Sequence, residues 1–181
     1  MKPHSYSSDG IVLSRRNFGE ADRILTLYTK YYGRVSAIAK GARRPKSRKR
    51  GHIEVFNLVK FQAVTGHGID LMTEAEVVDD FKEIRQSLKK ISLAYYFMEV
   101  INKITHEGES NTNLFNLILN SLTSLKTAKK LKVLRLDFIS KLLILMGYWP
   151  HGVLLPNPDE ELEKVVERQI YSKRVGKRMI Q

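Results

Sequence analysis

The spacing of apolar residues changes near residue 80, and this change constrains the fold more than any other feature of the chain. Before it, short runs rich in Val, Ile, Thr, Tyr and Phe are separated by glycines, as strands are separated by turns. After it, apolar residues recur at intervals of three and four, as on one face of an α-helix. The sequence therefore predicts an α+β chain with a strand-rich domain at 1–80 and an all-helical domain at 81–181.

Five strands are predicted in the first domain, at 6–15, 23–30, 34–41, 54–65 and 69–78. Turns at Gly33 and at Gly66 to Gly68 favour hairpins between consecutive strands, so we expect an antiparallel meander. Five antiparallel strands of this length close most easily into a small barrel.

Four helices are predicted in the second domain, at 81–103, 114–125, 128–146 and 159–174. Asp79 and Asp80 are expected to cap the first of them. The third is expected to end at Gly147, because glycine suits the left-handed position that follows a helix and Pro150 cannot continue it.

Positive charge is the chain's main functional signal. Lysine and arginine outnumber aspartate and glutamate by 31 to 19, a formal net charge of +12, which indicates a polyanionic partner and above all nucleic acid. In the run 40–50, seven of eleven residues are basic and none is acidic. Because Gly41 and Pro45 oppose regular pairing, this run is predicted to be an extended, mobile finger that contacts phosphates. The alternative is a solvated charged loop.

The predicted nucleic-acid contacts come from this run and from arginines expected to flank it. They are Arg15, Arg16, Arg23, Arg34, Lys40, Arg43, Arg44, Lys46, Arg48, Lys49 and Arg50. Rings nearby in the sequence, at Phe18, Tyr28, Tyr31 and Tyr32, are of the type that stacks on bases. For Tyr28 burial within a strand is the preferred interpretation, and for Phe18 and Tyr31 both interpretations stay open.

A second basic cluster surrounds the predicted start of the third helix and consists of Lys126, Lys129, Lys130, Lys132 and Arg135. Cations are unfavourable at a helix N-terminus, so something should offset their charge. An acidic peptide or a phosphate would do so, and so would a neighbouring helix.

Several classes of function are disfavoured. The chain has no cysteine and its five histidines are scattered, so neither a metal site nor another cofactor is predicted. None of the common nucleophile, phosphate-loop or zinc-protease motifs is present, so we expect a protein that is not an enzyme. No apolar stretch is long enough to cross a membrane and no secretion signal is visible, which favours a cytoplasmic protein.

Several runs of the sequence have a specific order and spacing: Gly10–Leu13, Phe18–Thr29, Gly33–Ser47, Glu54–Phe56, Phe61, Glu74–Glu76 and Leu145–Pro150. They closely resemble the RecO family of bacterial DNA repair proteins, most specifically in the first domain. The resemblance implies an OB-fold barrel followed by a helical domain, in a cytoplasmic, nucleoid-associated recombination mediator. It implies binding of single- and double-stranded DNA and annealing of complementary strands.

The resemblance also implies protein partners. They are the mediator RecR and the C-terminal tail of the single-strand binding protein, which the mediator helps to replace by the RecA recombinase. We hypothesise that the basic residues from Arg34 to Arg50 hold the DNA backbone. The helical half, with Lys126 to Arg135 beside its leucines, would dock the acidic, apolar tail.

One departure from the family is large. Many members carry a four-cysteine zinc module after the segment that matches Gly147 to Pro150, and this chain has a short proline-containing link there. Because 168–178 resembles the basic C-terminal end of the family, we expect an internal deletion.

Two other readings of the residues stay open. One is an adaptor whose positive charge serves acidic protein partners, and the other is an RNA-binding barrel. The salt dependence of binding separates the first from a DNA-binding protein, and competition between RNA and DNA separates the second.

Overall fold

Five strands and five helices make up the part of the chain that the structure describes, residues 3–47 and 49–166, in a computed structural model. This part divides into two compact units. The barrel unit contains the described residues of Met1–Asp80 together with Thr105–Thr112, and the helical unit contains those of Phe81–Ile104 and Asn113–Gln181.

The five predicted strands are confirmed and close into a barrel. They are β1 Ser5–Phe18, β2 Asp22–Thr29, β3 Gly33–Ala39, β4 Leu58–Val64 and β5 Asp70–Asp79, in the order β1-β2-β3-β5-β4 with β4 pairing back to β1. β1 can serve both neighbours because it is 14 residues long and its pairing with β2 shifts between Val12 and Ser14, as at a β-bulge. This is the strand order of an OB fold, which confirms the predicted α+β class.

The predicted meander is wrong. β3 pairs with β5 in parallel, at Ala37 with Asp70 and at Ile38 with Leu71, and β4 pairs with β1. A hairpin needs a short turn, whereas β3 and β4 are joined by the long connection 40–57, which lets β4 cross to the far side.

The fourth strand begins at Leu58 and not at residue 54, as predicted. Phe56 has a φ of 60°, a left-handed conformation that is incompatible with a strand. Its N–H instead donates to the carbonyl of Val12, and the Val12 N–H donates to the carbonyl of Asn57. Residues 56 and 57 therefore pair with the bulge of β1.

Alternate residues of the strands point into the barrel and form its core. Leu25, Leu27, Val35 and Phe61 are almost completely buried there. Burial of each such side chain stabilises the fold by about 1.5–3 kcal/mol. The intervening residues of β2 and β3 consequently face outward.

The helices are α1 Lys82–Arg85, α2 Leu88–Ile104, α3 Thr112–Thr127, α4 Leu131–Leu145 and α5 Pro158–Val165. The predicted first helix is two helices, because α1 ends at Arg85 with Gln86 as its C-cap, and the N–H of Ile91 in α2 then donates to the carbonyl of Ser87. Neither predicted aspartate is its N-cap, since Phe81 occupies that position with a φ of 49°. Residues 167–174 of the predicted last helix lie outside the described residues. None of the described helices is long and apolar enough to span a membrane.

Candidate nucleic-acid interface

The turn between β1 and β2 and the start of the 40–57 connection meet at one end of the barrel. The N–H of Arg43 donates to the carbonyl of Ala21 at 2.8 Å, and the N–H of Gly41 donates to Oδ1 of Asp22 at 2.7 Å. The guanidinium of Arg43 also lies 3.3 Å from the carbonyl oxygen of Gly19. These bonds bring together a group that we call the basic end, consisting of Arg15, Arg16, Arg23, Lys40, Arg43 and Arg44.

The connection is folded in successive turns, so the prediction of an extended conformation is wrong. Backbone N–H groups of Arg44 and Ser47 donate to carbonyls three residues earlier, both at 3.0 Å. Ala42 and Ile53 are fully buried in the barrel core. The apolar residues within and after the basic run therefore hold the connection against the barrel.

Lys49 has a structural position in this connection. Its ammonium donates to the carbonyl of Met72 at 3.0 Å, and burial lowers the pKa of the Lys49 side chain. His52 accepts the N–H of Val77 through Nδ1, also at 3.0 Å. Both side chains satisfy backbone groups of β5 beyond the two residues that pair with β3. Lys49 thus helps to hold the connection against β5. The sequence predicted a phosphate contact for Lys49 and did not predict this structural role.

Glu54 links two arginines of the basic end. Its Oε1 accepts from Arg15 at 2.7 Å and lies 3.4 Å from Nη1 of Arg23. Burial lowers the pKa of the Arg23 guanidinium, and the neighbouring charge of Arg15 lowers it further. Glu54 is therefore an internal counterion between two guanidinium groups.

The other cations of the basic end face solvent: Arg16, Lys40, Arg43 and Arg44 are all exposed. Lys46 and Arg50, further along the connection, are exposed as well, and Arg48 lies outside the described residues. The ring of Phe18 follows Arg16 in β1 and is 48% exposed. The basic end therefore combines accessible cations with one accessible ring, two features that are common on surfaces that bind single strands.

Arg34 is not brought to the basic end. It lies near the start of β3, six residues before Lys40, which corresponds to about 20 Å along a strand. Tyr31 and Tyr32 belong to the same far turn. Tyr28 is buried, as preferred above, and this burial raises the pKa of its phenol to about 12.

Two of the five basic residues in the second cluster are already engaged within the helical unit. Arg135 is only 8% exposed and donates to both carboxylate oxygens of Asp159, at 2.5 and 2.9 Å. Lys126 lies 5.0 Å from the ring centroid of Phe81 and 3.9 Å from a carboxylate oxygen of Glu83. For Arg135 and Lys126, the alternative of a partner within the chain, on a neighbouring helix, is therefore correct. Lys129, Lys130 and Lys132 are exposed.

Two concave surfaces lie outside the basic end. A pocket of about 890 Å³ on the outer side of β1, β4 and β5 carries Glu74 and Glu76 opposite Lys49 and Lys60, so its charge does not favour a polyanion. A groove of about 500 Å³ runs between α3 and α4. Its apolar lining residues are Leu117, Leu134, Ile144 and Leu145. Within 3–47 and 49–166, no group of three or more histidine or carboxylate side chains could hold a metal ion.

Sequence reasoning missed Glu54, Asp22 and the acidic segment 105–112, which lies on the barrel. Glu54 and Asp22 are ordinary polar residues in the sequence, and only the folding of the connection gives them partners. The segment 105–112 reads as a connector between two helices, and no pattern indicates that it belongs to the barrel unit.

Comparison with known proteins points to one family. The family described as "Recombination protein O N terminal" matches residues 1–81, and "Recombination protein O C terminal" matches 85–152. The "DNA repair protein RecO" of Pelotomaculum thermopropionicum is 39% identical over 145 residues, which cover 80% of this chain and 56% of that protein. Its counterpart from Desulforamulus reducens is 38% identical with the same coverage, and that from Thermoanaerobacter is 37% identical over 79% of this chain and 58% of that protein. The chain thus spans little more than half the length of these relatives.

Proposed function

Because this chain belongs to the RecO family of DNA repair proteins, we propose that it binds single- and double-stranded DNA through the basic end of its barrel, without catalysing a reaction. The observation that carries the proposal is the convergence of two turns of the barrel. The two turns are joined by the bonds from Arg43 to Ala21 and Gly19, and Arg16, Phe18, Arg43 and Arg44 near these turns are exposed. Guanidinium groups bind phosphate oxygens, which are the same in DNA of any base sequence, so binding is expected to lack sequence specificity.

The same surface suggests how the protein would anneal strands. Two complementary strands repel each other through their phosphates, and cations that neutralise part of this charge lower the repulsion. Phe18 would hold an unpaired base by stacking until pairing begins. Annealing then requires positioning and charge neutralisation but no bond-breaking step.

We further propose that the helical unit docks the acidic, apolar C-terminal tail of the single-strand binding protein. Together with RecR, this chain would then help RecA to replace the single-strand binding protein on the DNA. Support comes from the groove between α3 and α4, whose mixed lining includes Leu117, Leu134, Ile144 and Leu145, and from the exposed Lys129 and Lys132 near the beginning of α4. Apolar side chains and cations on one unit are complementary to a tail that is both apolar and acidic.

The DNA proposal is tested by fluorescence anisotropy of a labelled single-stranded oligonucleotide at several salt concentrations. The variant Arg43→Glu, Arg44→Glu should lose binding while its circular dichroism spectrum and melting curve are unchanged. A matched control, Lys60→Glu with Lys89→Glu, makes the same change in net charge at exposed positions elsewhere. Weak binding in the wild type that neither salt nor the variant alters would instead favour an adaptor for acidic proteins, and preference for a matched RNA would favour an RNA-binding barrel.

The partner proposal is tested with a labelled peptide that ends in an acidic, apolar tail. Lys129→Glu with Lys132→Glu should weaken peptide binding at least tenfold. The control Lys60→Glu with Lys89→Glu should bind the peptide as tightly as the wild type does. Equal affinity of both variants for the peptide would show that the tail does not bind at this surface.

A further inference from the structure

The segment Thr105–Thr112, which connects α2 to α3, lies against the outer side of β2 and β3 in the barrel unit. The N–H of Gly108 donates to the carbonyl of Arg34 at 3.1 Å, and Arg34 and Glu107 form a parallel β-bridge. The hydroxyl of Ser36 donates to the carboxylate of Glu107. Residues on the outward side of β3 are therefore in contact with this segment.

The segment also covers β2. The phenol of Tyr28 lies 3.5 Å from the carbonyl oxygens of both Glu109 and Asn111, and Tyr28 is only 1% exposed. The hydroxyl of Thr112 lies 3.5 Å from the carbonyl oxygen of Lys30. The contact thus extends from the middle of β3 to the turn that follows β2.

Gly33 permits this close approach. A β-carbon at Gly33 would lie 2.1 Å from the carbonyl oxygen of Glu109 and 2.8 Å from the nitrogen of Ser110, both of them backbone atoms that cannot rotate away. With a side chain at position 33, the segment could not occupy its present place.

In OB folds, the outer face of strands 2 and 3 is the usual binding surface for oligonucleotides. Here that face is occupied by the chain itself, and the exposed Glu107 and Glu109 add negative charge where a phosphate backbone would lie. We infer that Thr105–Thr112 is an internal mask, which excludes single strands from the β2–β3 face and leaves the basic end as the surface that takes them. This inference rests on the proposed DNA binding and specifies its location.

Two charge-matched variants test the location. Arg16→Gln with Arg43→Gln removes two positive charges from the basic end, and Lys30→Gln with Arg34→Gln removes two from the masked face. Anisotropy of a labelled single strand should show a loss of at least tenfold for the first variant and a change of less than twofold for the second. A loss in the second variant equal to that in the first would overturn the inference.

A third variant tests the mask itself. Gly33→Ala should displace the segment, and Gly68→Ala is its control, because Gly68 also has a positive φ but nothing within 4 Å of an added β-carbon. In the Gly33→Ala background, Lys30→Gln with Arg34→Gln should now lower single-strand affinity about threefold or more, whereas it should have no effect in the Gly68→Ala background.

The outcomes separate the two proposals. If no variant and not even the wild type binds the strand, DNA binding by this chain is wrong and the mask has nothing to exclude. If the basic end binds but Gly33→Ala leaves the masked face without effect, DNA binding stands and the mask is refuted. If Gly33→Ala does not fold, the comparison of the two charge-matched variants still decides where the strand binds.

Discussion

Arg15 donates a 2.7 Å hydrogen bond to Glu54, a residue 39 positions further along the chain. The bond joins β1 to the connection between β3 and β4, and the same carboxylate oxygen lies 3.4 Å from Arg23. Within the proposed DNA-binding surface, a carboxylate therefore occupies the position that a phosphate oxygen would take between two arginines. A bound phosphate would have to compete with it.

Replacing Glu54 by Gln should strengthen DNA binding. The change frees the charge of Arg15 and Arg23 for phosphates, and we expect single-strand affinity to rise about fivefold, or roughly 1 kcal/mol, with a steeper salt dependence. Titrations by anisotropy at low and moderate salt would measure both. Glu76→Gln on β5 is the control, because it makes the same change in net charge away from the arginine pair. Weaker binding of Glu54→Gln would mean that DNA needs the arginines held in place.

Asp22 should anchor the start of the 40–57 connection. Its carboxylate accepts the N–H of Gly41 at 2.7 Å, so Asp22→Ala should cost about 1–2 kcal/mol of unfolding free energy and speed amide exchange at Gly41. Asp22→Asn keeps an oxygen acceptor and should lose less. An exchange rate at Gly41 that is the same in Asp22→Ala as in wild type would show that the bond does not hold the connection.

Tyr28 should make the barrel sensitive to alkali. Burial raises the pKa of its phenol from 10.0 to about 12, so between these pH values the unfolded chain loses the proton while the folded chain keeps it. The folded state then binds more protons, and the unfolding free energy falls as pH rises through this window. Chemical denaturation from pH 9 to pH 12 should show a shallower fall for Tyr28→Phe than for wild type. Tyr31→Phe, at an exposed ring, is the control, and identical slopes for all three proteins would refute the assignment.

The Arg135–Asp159 pair should be asymmetric. Asp159→Ala leaves a buried guanidinium without its carboxylate and should cost about 3–5 kcal/mol. Arg135→Met should cost less, because the methionine fits an apolar site and Asp159, which is more exposed than Arg135, can be hydrated. Thermal or urea denaturation of the two variants would measure the order, and the reverse order would show that Arg135 is easily rehydrated.

The fold class and much of the proposed DNA-binding group follow from the sequence because they depend on local patterns. Alternating apolar residues produce strands such as β3, and the spacing of three and four produces helices such as α3. The basic run 40–50 carries its charge in any conformation. The resemblance to the RecO family supplied the OB fold, which the apolar pattern alone left as a small barrel of unspecified strand order.

Only the tertiary structure decided which charges are accessible and which face of the barrel is open. Glu54 reaches Arg15 because the connection folds back on the barrel, and Arg135 is withdrawn from the surface by Asp159, 24 residues away. The segment Thr105–Thr112 covers β2 and β3 although helices flank it in the chain. The physical reason is that strands and helices depend on the pattern of neighbouring residues. Ion pairs and burial depend on contacts between segments that are far apart in the chain, and no local pattern indicates which of these segments meet.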